Sequence, residues 1–385
     1  MISAKEPISR PWKMVHLFNS CSVGIINMTR SLILSTFLML AGCHGGLKQP
    51  YSIEPSLNNS LALRNPADQL WHNKLKAYPN QIVNLSDSLV LIGDSRGGLT
   101  TLNINTGDRT DRYWRPLKHP VQFYGHGDSV LYFSAETDKE IIAWDIHKTV
   151  QVWEKKFDVD YHEMIFIDSL LYFLSDSSVA KISATLGDVF QTIHLEAKLA
   201  RGTARARDKI YICTESGELL EFDQQLNNTD KMDLNISMVE AMWQFGERAL
   251  VYNSRGSIRI VALEKAEIEF SKDLNVALYA APRLANDLLI IPFATGKVSA
   301  YSLKEARQKW SFAAGSLLNL DVLITNETII FAYARGQVVC LDAETGTELW
   351  SYDHGESINF AALTHNGVLL GHRKEITFIG EKHAN

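Results

Sequence analysis

One pattern, repeated at a fixed interval, constrains this chain more than any other feature of its sequence. Residues 336–350 read GQVVCLDAETGTELW: a glycine, an alternating run, Leu-Asp, a Thr-Gly turn and a closing Trp. Related stretches stand at 296–310, 256–270, 217–232, 139–153 and 98–114, with a degraded copy at 178–193. The opening glycines Gly217, Gly256, Gly296 and Gly336 follow at intervals of 39, 40 and 40, and Gly98 lies three such periods before Gly217. The closing residues Phe270, Trp310 and Trp350 keep the same interval, as do Trp114 and Trp153. Self-similarity at this spacing, with several short strand-like runs per period, is the signature of a propeller or a similar array.

Each period contains the same parts. A strand near Val322 to Thr325 leads to a second, Thr328 to Tyr333, and a third begins at Gly336. The turn at Glu344-Thr345-Gly346 leads to a fourth strand ending at Trp350; glycine there supplies the positive φ of a tight hairpin. The closing Trp is placed to pack between neighbouring blades, each sheet burying a face it could not bury alone. Counting in this way predicts blades near 78–116, 119–158, 159–197, 198–235, 236–275, 276–315 and 316–355. Residues 356–380 supply only three further strands, and a Trp-bearing segment, Asp68 to Leu75, stands alone at the start of the repeats. Segment 68–76 therefore completes the last blade and removes the open edge that would template aggregation. The fold class expected is all-β: an eight-bladed propeller of four-stranded antiparallel blades over 68–380, closed by an N-terminal strand, with 381–385 a tail.

The amino terminus reads as an address. In MTRSLILSTFLMLAGC, residues 28–43, Arg30 is followed by ten largely apolar residues, Ser31 to Leu40. That is too short to span a bilayer, which takes about 20, but it fits a secretory signal. Leu40-Ala41-Gly42-Cys43 resembles the bacterial lipobox. The resemblance implies cleavage after residue 42 and acylation of Cys43, with residues 1–42 a signal peptide and Met28 a candidate true start. His44, rather than Asp, follows the cysteine, which by the same resemblance points to the outer membrane. Residues 43–67 then read as a lipidated tether.

The pattern in 336–350 resembles the quinoprotein (PQQ-like) β-propeller repeat, and the resemblance covers residues 68–380. Together with the lipobox it is similar to the propeller lipoprotein of the outer-membrane β-barrel assembly machinery. That resemblance implies a non-catalytic, periplasm-facing scaffold, held to the outer membrane by its lipid, which docks on the barrel-insertase subunit. The family's Leu-Arg-Gly docking loop falls here on Ala200-Arg201-Gly202, with Leu199 one position earlier. Its Asp-Val-Asp loop falls on Met238-Val239-Glu240, one acid being lost and the other changed to Glu. The partner-binding residues it implies are Leu199, Arg201, Gly202, Val239 and Glu240.

Enzyme readings find little support in the residues. By resemblance a quinoprotein dehydrogenase needs a vicinal disulfide, a calcium site and long insertions; this chain has no Cys-Cys pair, and its short repeat leaves no room between blades. A quinone- or small-ligand-binding propeller lipoprotein is the alternative. Cys213 and Cys340 lie three periods apart and read as small buried residues, with no Cys-x-x-Cys spacing for zinc. No metal site or cofactor is expected. His126 sits in Tyr-Gly-His-Gly-Asp, a turn signal. The net charge of −6 includes +3 from residues 1–42, leaving −9 on the rest, which argues against a nucleic-acid surface. Lys198, Arg201, Arg205, Arg207 and Lys209 form the one dense basic cluster, read as a solvated loop face or a docking patch. The repeated Asp145, Asp223 and Asp342 are expected to cap turn amides within their own blades.

Overall fold

The computed structural model describes residues 63–381, apart from 66, 111–120, 127–128, 136–138 and 365. The signal, Cys43 and most of the tether lie outside the described residues. Those described form strands and turns and no helix.

The strands fall into eight antiparallel groups, called units here and numbered in chain order. Unit 1 has Pro79–Ser86, Leu89–Asp94 and Leu99–Asn103. Unit 2 has Val121–His126, Val130–Ala135, Glu140–Asp145 and Val150–Lys156. Unit 3 has Glu163–Ile167, Leu170–Leu174, Ser178–Ser183 and Val189–His194. Unit 4 has Leu199–Ala206, Lys209–Thr214, Glu218–Phe222 and Asn228–Asp233. Unit 5 has Ala241–Phe245, Arg248–Tyr252, Ser257–Ala262 and Glu267–Asp273. Unit 6 has Arg283–Ala285, Leu288–Pro292, Lys297–Ser302 and Arg307–Ala313. Unit 7 has Leu323–Ile324, Thr328–Ala332, Gln337–Asp342 and Glu348–Asp353. Unit 8 has Phe360–Leu363, Gly367–His372 and Glu375–Glu381, and its fourth strand is Ala67–Lys74 from the other end of the described chain. That strand pairs antiparallel with Glu375–Glu381, from Ala67 opposite Glu381 to Lys74 opposite Glu375. Units 4 and 5 are joined into one sheet by a single parallel bridge between Arg201 and Ala241.

The core lies between units rather than inside any one of them. Eight hydrophobic clusters are each shared by consecutive units; one, with Ile82, Val90, Leu369 and Phe378, joins unit 8 to unit 1. This explains the burial gradient across each sheet. In unit 7 the second strand is buried throughout, the third is buried after Gln337, and the outer strand buries only Trp350. A strand covered on both faces reads as a continuous apolar run, whereas the outer strand keeps one inward residue.

That inward residue makes the lock between units. Trp310 of unit 6 donates its indole N–H to the carbonyl of Ala343, in the outer turn of unit 7, at 2.9 Å. Trp153 reaches Ala184 of unit 3 at 2.8 Å, and Trp71 of unit 8 reaches Ile104 of unit 1 at 2.7 Å. The turn glycine lies flat against the same ring. A Cβ added to Gly346, whose φ is +70°, would stand 2.5 Å from Trp310, and Gly107 and Gly187 meet Trp71 and Trp153 in the same way. Asp342 holds this turn by accepting from the amides of Glu344 and Thr345, at 3.1 and 2.9 Å. Asp145 and Asp223 accept from their own turn amides too, as the sequence predicts.

Units 3 and 4 build the lock differently. Strand register puts Tyr172, Lys181 and Gln191 in the row that holds Ile330, Cys340 and Trp350 in unit 7. With Gln191 in the Trp position, the outer strand of unit 3 has no buried side chain. Tyr172, in the second strand, instead donates its hydroxyl to Gln224 of unit 4 at 2.9 Å. In unit 4 the row is Tyr211, Glu221 and Asp230, and Tyr211 bonds Leu263 of unit 5 at 3.1 Å. Burial would raise the Glu221 carboxyl, but hydrogen bonds from Lys209, Thr229 and Tyr211 together hold it below the ordinary value.

Between units 7 and 8 the acceptor is supplied by Leu63. Its carbonyl accepts the Trp350 indole N–H at 2.6 Å and its side chain, 1% exposed, packs among Cys340, Trp350 and Leu370. Arg64 pairs with Asp342 at 2.8 Å and Glu327 at 3.3 Å. Leu63 and Arg64, read as tether from the sequence, thus belong to the contact between units 7 and 8.

Cys213 and Cys340 are fully buried free thiols, pushed up to about 12 by burial. His126 is a correction to the turn reading: it pairs with Leu131 in a strand that runs through it, and a bulge between Phe123 and Gly125 accommodates the extra residue.

Candidate functional site

Strand alternation gives every unit two ends. One carries the turns between second and third strands and the links to the next unit; the other carries the outer turns. At the link end, Gly336 (φ +91°) sits so close to the link of unit 8 that an added Cβ would be 2.2 Å from the Glu356 carbonyl. The links repeat faithfully: the amides of His162, Glu240, Tyr279, Asn319 and Asn359 donate to Leu174, Tyr252, Pro292, Ala332 and Gly371 respectively. These five residues therefore hold equivalent link positions in units 3, 5, 6, 7 and 8.

All five sequence-derived partner-binding residues converge at the link end of units 4 and 5. The Arg201 amide donates to the Glu240 carbonyl at 3.3 Å, and Arg201 bridges Ala241. They divide by role. Leu199 and Val239 are buried at 3% and 4% exposure and hold the loops in the core. Gly202, at φ +82°, lies against the neighbouring backbone, where an added Cβ would be 1.8 Å from the Met242 carbonyl. Only Arg201 and Glu240 present charge to solvent. Met238, 60% exposed with φ +56°, stands beside them and belongs to the same surface, although the sequence reading did not place it in the site. Its signal was a large apolar residue in a polar link.

The surroundings perturb these groups. Partial burial of its carboxyl raises Glu240 above the ordinary carboxylate value; Arg201 opposes the shift and the charge of Asp321 adds to it. Burial, Glu240 and Asp321 raise the Tyr252 hydroxyl. Burial and then Asp321 push Tyr279 up to about 12. Arg283 stacks its guanidinium over Trp243, 4.8 Å from the ring centroid. The result is a mouth of mixed charge and aromatic surface across units 4 to 7.

The basic cluster does not survive as one patch. Lys198 pairs with Glu215 at 2.7 Å, Arg207 with Glu264 at 2.8 Å, and Lys209 with Glu221. Arg205 donates to the Phe166 carbonyl at 3.2 Å. A strand running from the link end to the opposite end carries Arg205, Arg207 and Lys209 away from Arg201, while Lys198 stays at the link end paired to Glu215. Among the described residues no group of His, Cys, Asp and Glu is arranged to hold a metal ion.

Comparison with known proteins bears on this geometry. Residues 244–367 match the sequence profile of the PQQ_2 family, described as outer membrane protein assembly factor BamB. The solved structure of BamB from Moraxella catarrhalis superposes with a TM-score of 0.65 at 11% identity, covering 82% of this chain and all of that one. The chain resembles BamB. The resemblance is that of a PQQ-like β-propeller. The computationally designed Ika8 protein has the same fold, with a TM-score of 0.68 at 12% identity over 82% of this chain and 99% of that one. So does the C-terminal WD40 domain of Sif2, at 0.65 and 14% identity over 83% and 99%. No curated protein matches the sequence.

Proposed function

We propose that this protein is a lipid-anchored, periplasm-facing scaffold in outer-membrane protein assembly, non-catalytic, and bound to the barrel-insertase subunit through the link end of units 4 and 5. In this reading the eight units are the blades of one propeller, closed by Ala67–Lys74, and Cys43 carries the lipid. The observation that carries it is the meeting of Arg201 and Glu240, one period apart in sequence, on the surface of a fold that resembles an assembly factor. Two buried neighbours and a glycine that admits no side chain fix the loops beneath them. A rigid surface of this kind presents opposite charges at set positions without an ordering cost on binding.

The test is co-purification of the insertase from intact envelopes after crosslinking. Arg201→Glu and Glu240→Lys are each expected to reduce capture at least tenfold while the thermal transition stays in place. Undiminished capture by both would remove this face from the site. Cys43→Ala is expected to abolish incorporation of labelled palmitate and to release the protein from membranes; a labelled variant would overturn the anchor assignment.

A further inference from the structure

The outer strands of the blades form the rim of the wheel, and all but one of those described carry charge. Charged side chains protect a free edge against pairing with another chain. Val150–Lys156 has Glu154, Lys155 and Lys156; Asn228–Asp233 has Asp230, Lys231 and Asp233; Glu267–Asp273, Arg307–Ala313, Glu348–Asp353 and Ala67–Lys74 each carry two or more. Val189–His194 of blade 3, reading VFQTIH, has no Asp, Glu, Lys or Arg. It is the edge of its sheet, paired only with Ser178–Ser183.

This edge is also the most apolar. Phe190 is 62% exposed, Leu186 in the preceding turn 60% and Val189 48%. Val150 and Val152 of blade 2, at 49% and 42%, lie on the adjoining outer strand, against which the Leu186 turn is seated through Gly187 and Trp153. The backbone decides what can cover such a surface. The Leu195 amide donates inward to Ser177, so by antiparallel alternation the amides of Thr192 and His194 point away from the sheet. Outward amides and carbonyls at strand spacing are met by another extended chain, not by a helix or a smooth apolar surface. Charge narrows the choice. The edge is flanked by Asp188, already paired to Lys155 at 2.9 Å, and by exposed Glu196. An acidic segment is repelled; a neutral one with a basic end is complementary.

We propose that the rim of blade 3 is a strand-addition site for an extended, unfolded polypeptide segment in which apolar or aromatic residues alternate with neutral polar ones. Transmembrane β-barrel strands alternate in this way, so naming them as the occupant rests on the assembly role proposed above. The edge itself does not depend on the docking face.

The probe is a fluorescein-labelled peptide, Lys-Thr-Val-Thr-Tyr-Thr-Val-Gln-Phe, titrated with the mature full-length protein and followed by anisotropy. Saturable binding is expected, weakened at least tenfold by Thr192→Pro, which removes an outward amide, and by Phe190→Lys, which charges the edge. Lys231→Pro, the same row position in blade 4, is expected to bind as wild type. A peptide N-methylated on alternate amides is expected not to bind. Absence of binding by wild type overturns the proposal, as does equal binding of the N-methylated peptide. Should Thr192→Pro unfold, Phe190→Lys decides alone, and undiminished binding to it overturns the proposal. Self-association of wild type that is lost in Phe190→Lys would assign the edge to a second copy and overturn it too. Failure here leaves the insertase docking test standing, and failure of that test leaves this one.

Discussion

Blades 6 and 7 and blades 3 and 4 solve one packing problem with different residues. Between 6 and 7 the outer strand sends Trp310 inward, its N–H finds Ala343, and Gly346 yields the space the ring needs. Between 3 and 4 the outer strand sends no fully buried side chain, only the half-buried Ile193. Tyr172 spans the gap from the second strand, and Leu226, at φ +60°, folds into the cluster from the facing turn. Trp71, Trp153 and Trp310 each meet a glycine in the facing turn, whereas opposite Gln191, Asp230 and Phe270 the equivalent turn position is Leu226, Ala266 or Ala306, still at positive φ. The acceptor is the equivalent carbonyl in both solutions, that of the residue after the turn-capping Asp, Gln224 after Asp223 and Ala343 after Asp342. What is held constant is the hydrogen bond between blades, not the residue that makes it. One consequence is that the outer strand of blade 3 is fastened by its ladder and by the half-buried Ile193, with no fully buried side chain.

The sharpest way to break the comparison is to empty the Trp position in each region. Trp310→Ala is expected to cost about 3–5 kcal/mol, the range for a large buried aromatic. Gln191→Ala at the same row in blade 3 should stay within about 0.5 kcal/mol. Denaturant unfolding measures both, and equal losses would refute the two-solution account.

A smaller effect tests the Trp–Gly pairing. Gly346→Ala is expected to destabilise by about 1–3 kcal/mol, from the positive φ and the clash with Trp310. The penalty should shrink by about 1 kcal/mol or more in a Trp310→Ala background. Additive losses would mean that the contact is incidental. Tyr172→Phe, which deletes only a hydroxyl and leaves the Gln224 carbonyl without that donor, should cost about 1–2 kcal/mol. A neutral result would show that Leu226 alone closes the gap.

The smallest effect is a pH dependence. Glu221 titrates below its ordinary value of 4.5 in the fold. Its contribution to stability is therefore complete above about pH 4.5 and is lost as pH falls through the lower folded value. Glu221→Gln should flatten the acid limb of a stability–pH curve, and an unchanged acid limb would refute this role for Glu221.

Much of this was legible in the sequence because the repeat is local. The evenly spaced glycines marked the period of the units, the Asp342 cap lies within its own turn, and Arg201 and Glu240 share a phase of adjoining repeats. Other features were hidden because they depend on register or on distant chain segments. Nothing near Tyr172 announces that it stands in for a Trp; that follows only once Lys181 is seen opposite Gln191. The basic cluster looked dense because sequence does not show that a strand carries alternate residues to opposite faces and its ends to opposite edges of the wheel.

The amino-acid sequence alone determined the repeating four-strand element, its turns and the aromatic that seals most of them, since hydrophobic alternation and turn chemistry act over short stretches of chain. Only the tertiary structure decided how the two ends of the described chain meet and which surfaces are left exposed. Leu63 serves Trp350 across 287 positions of chain, and blade 3 keeps a bare rim because its lock moved inward by two strands. Both outcomes depend on what a neighbouring blade offers, and no local pattern records that.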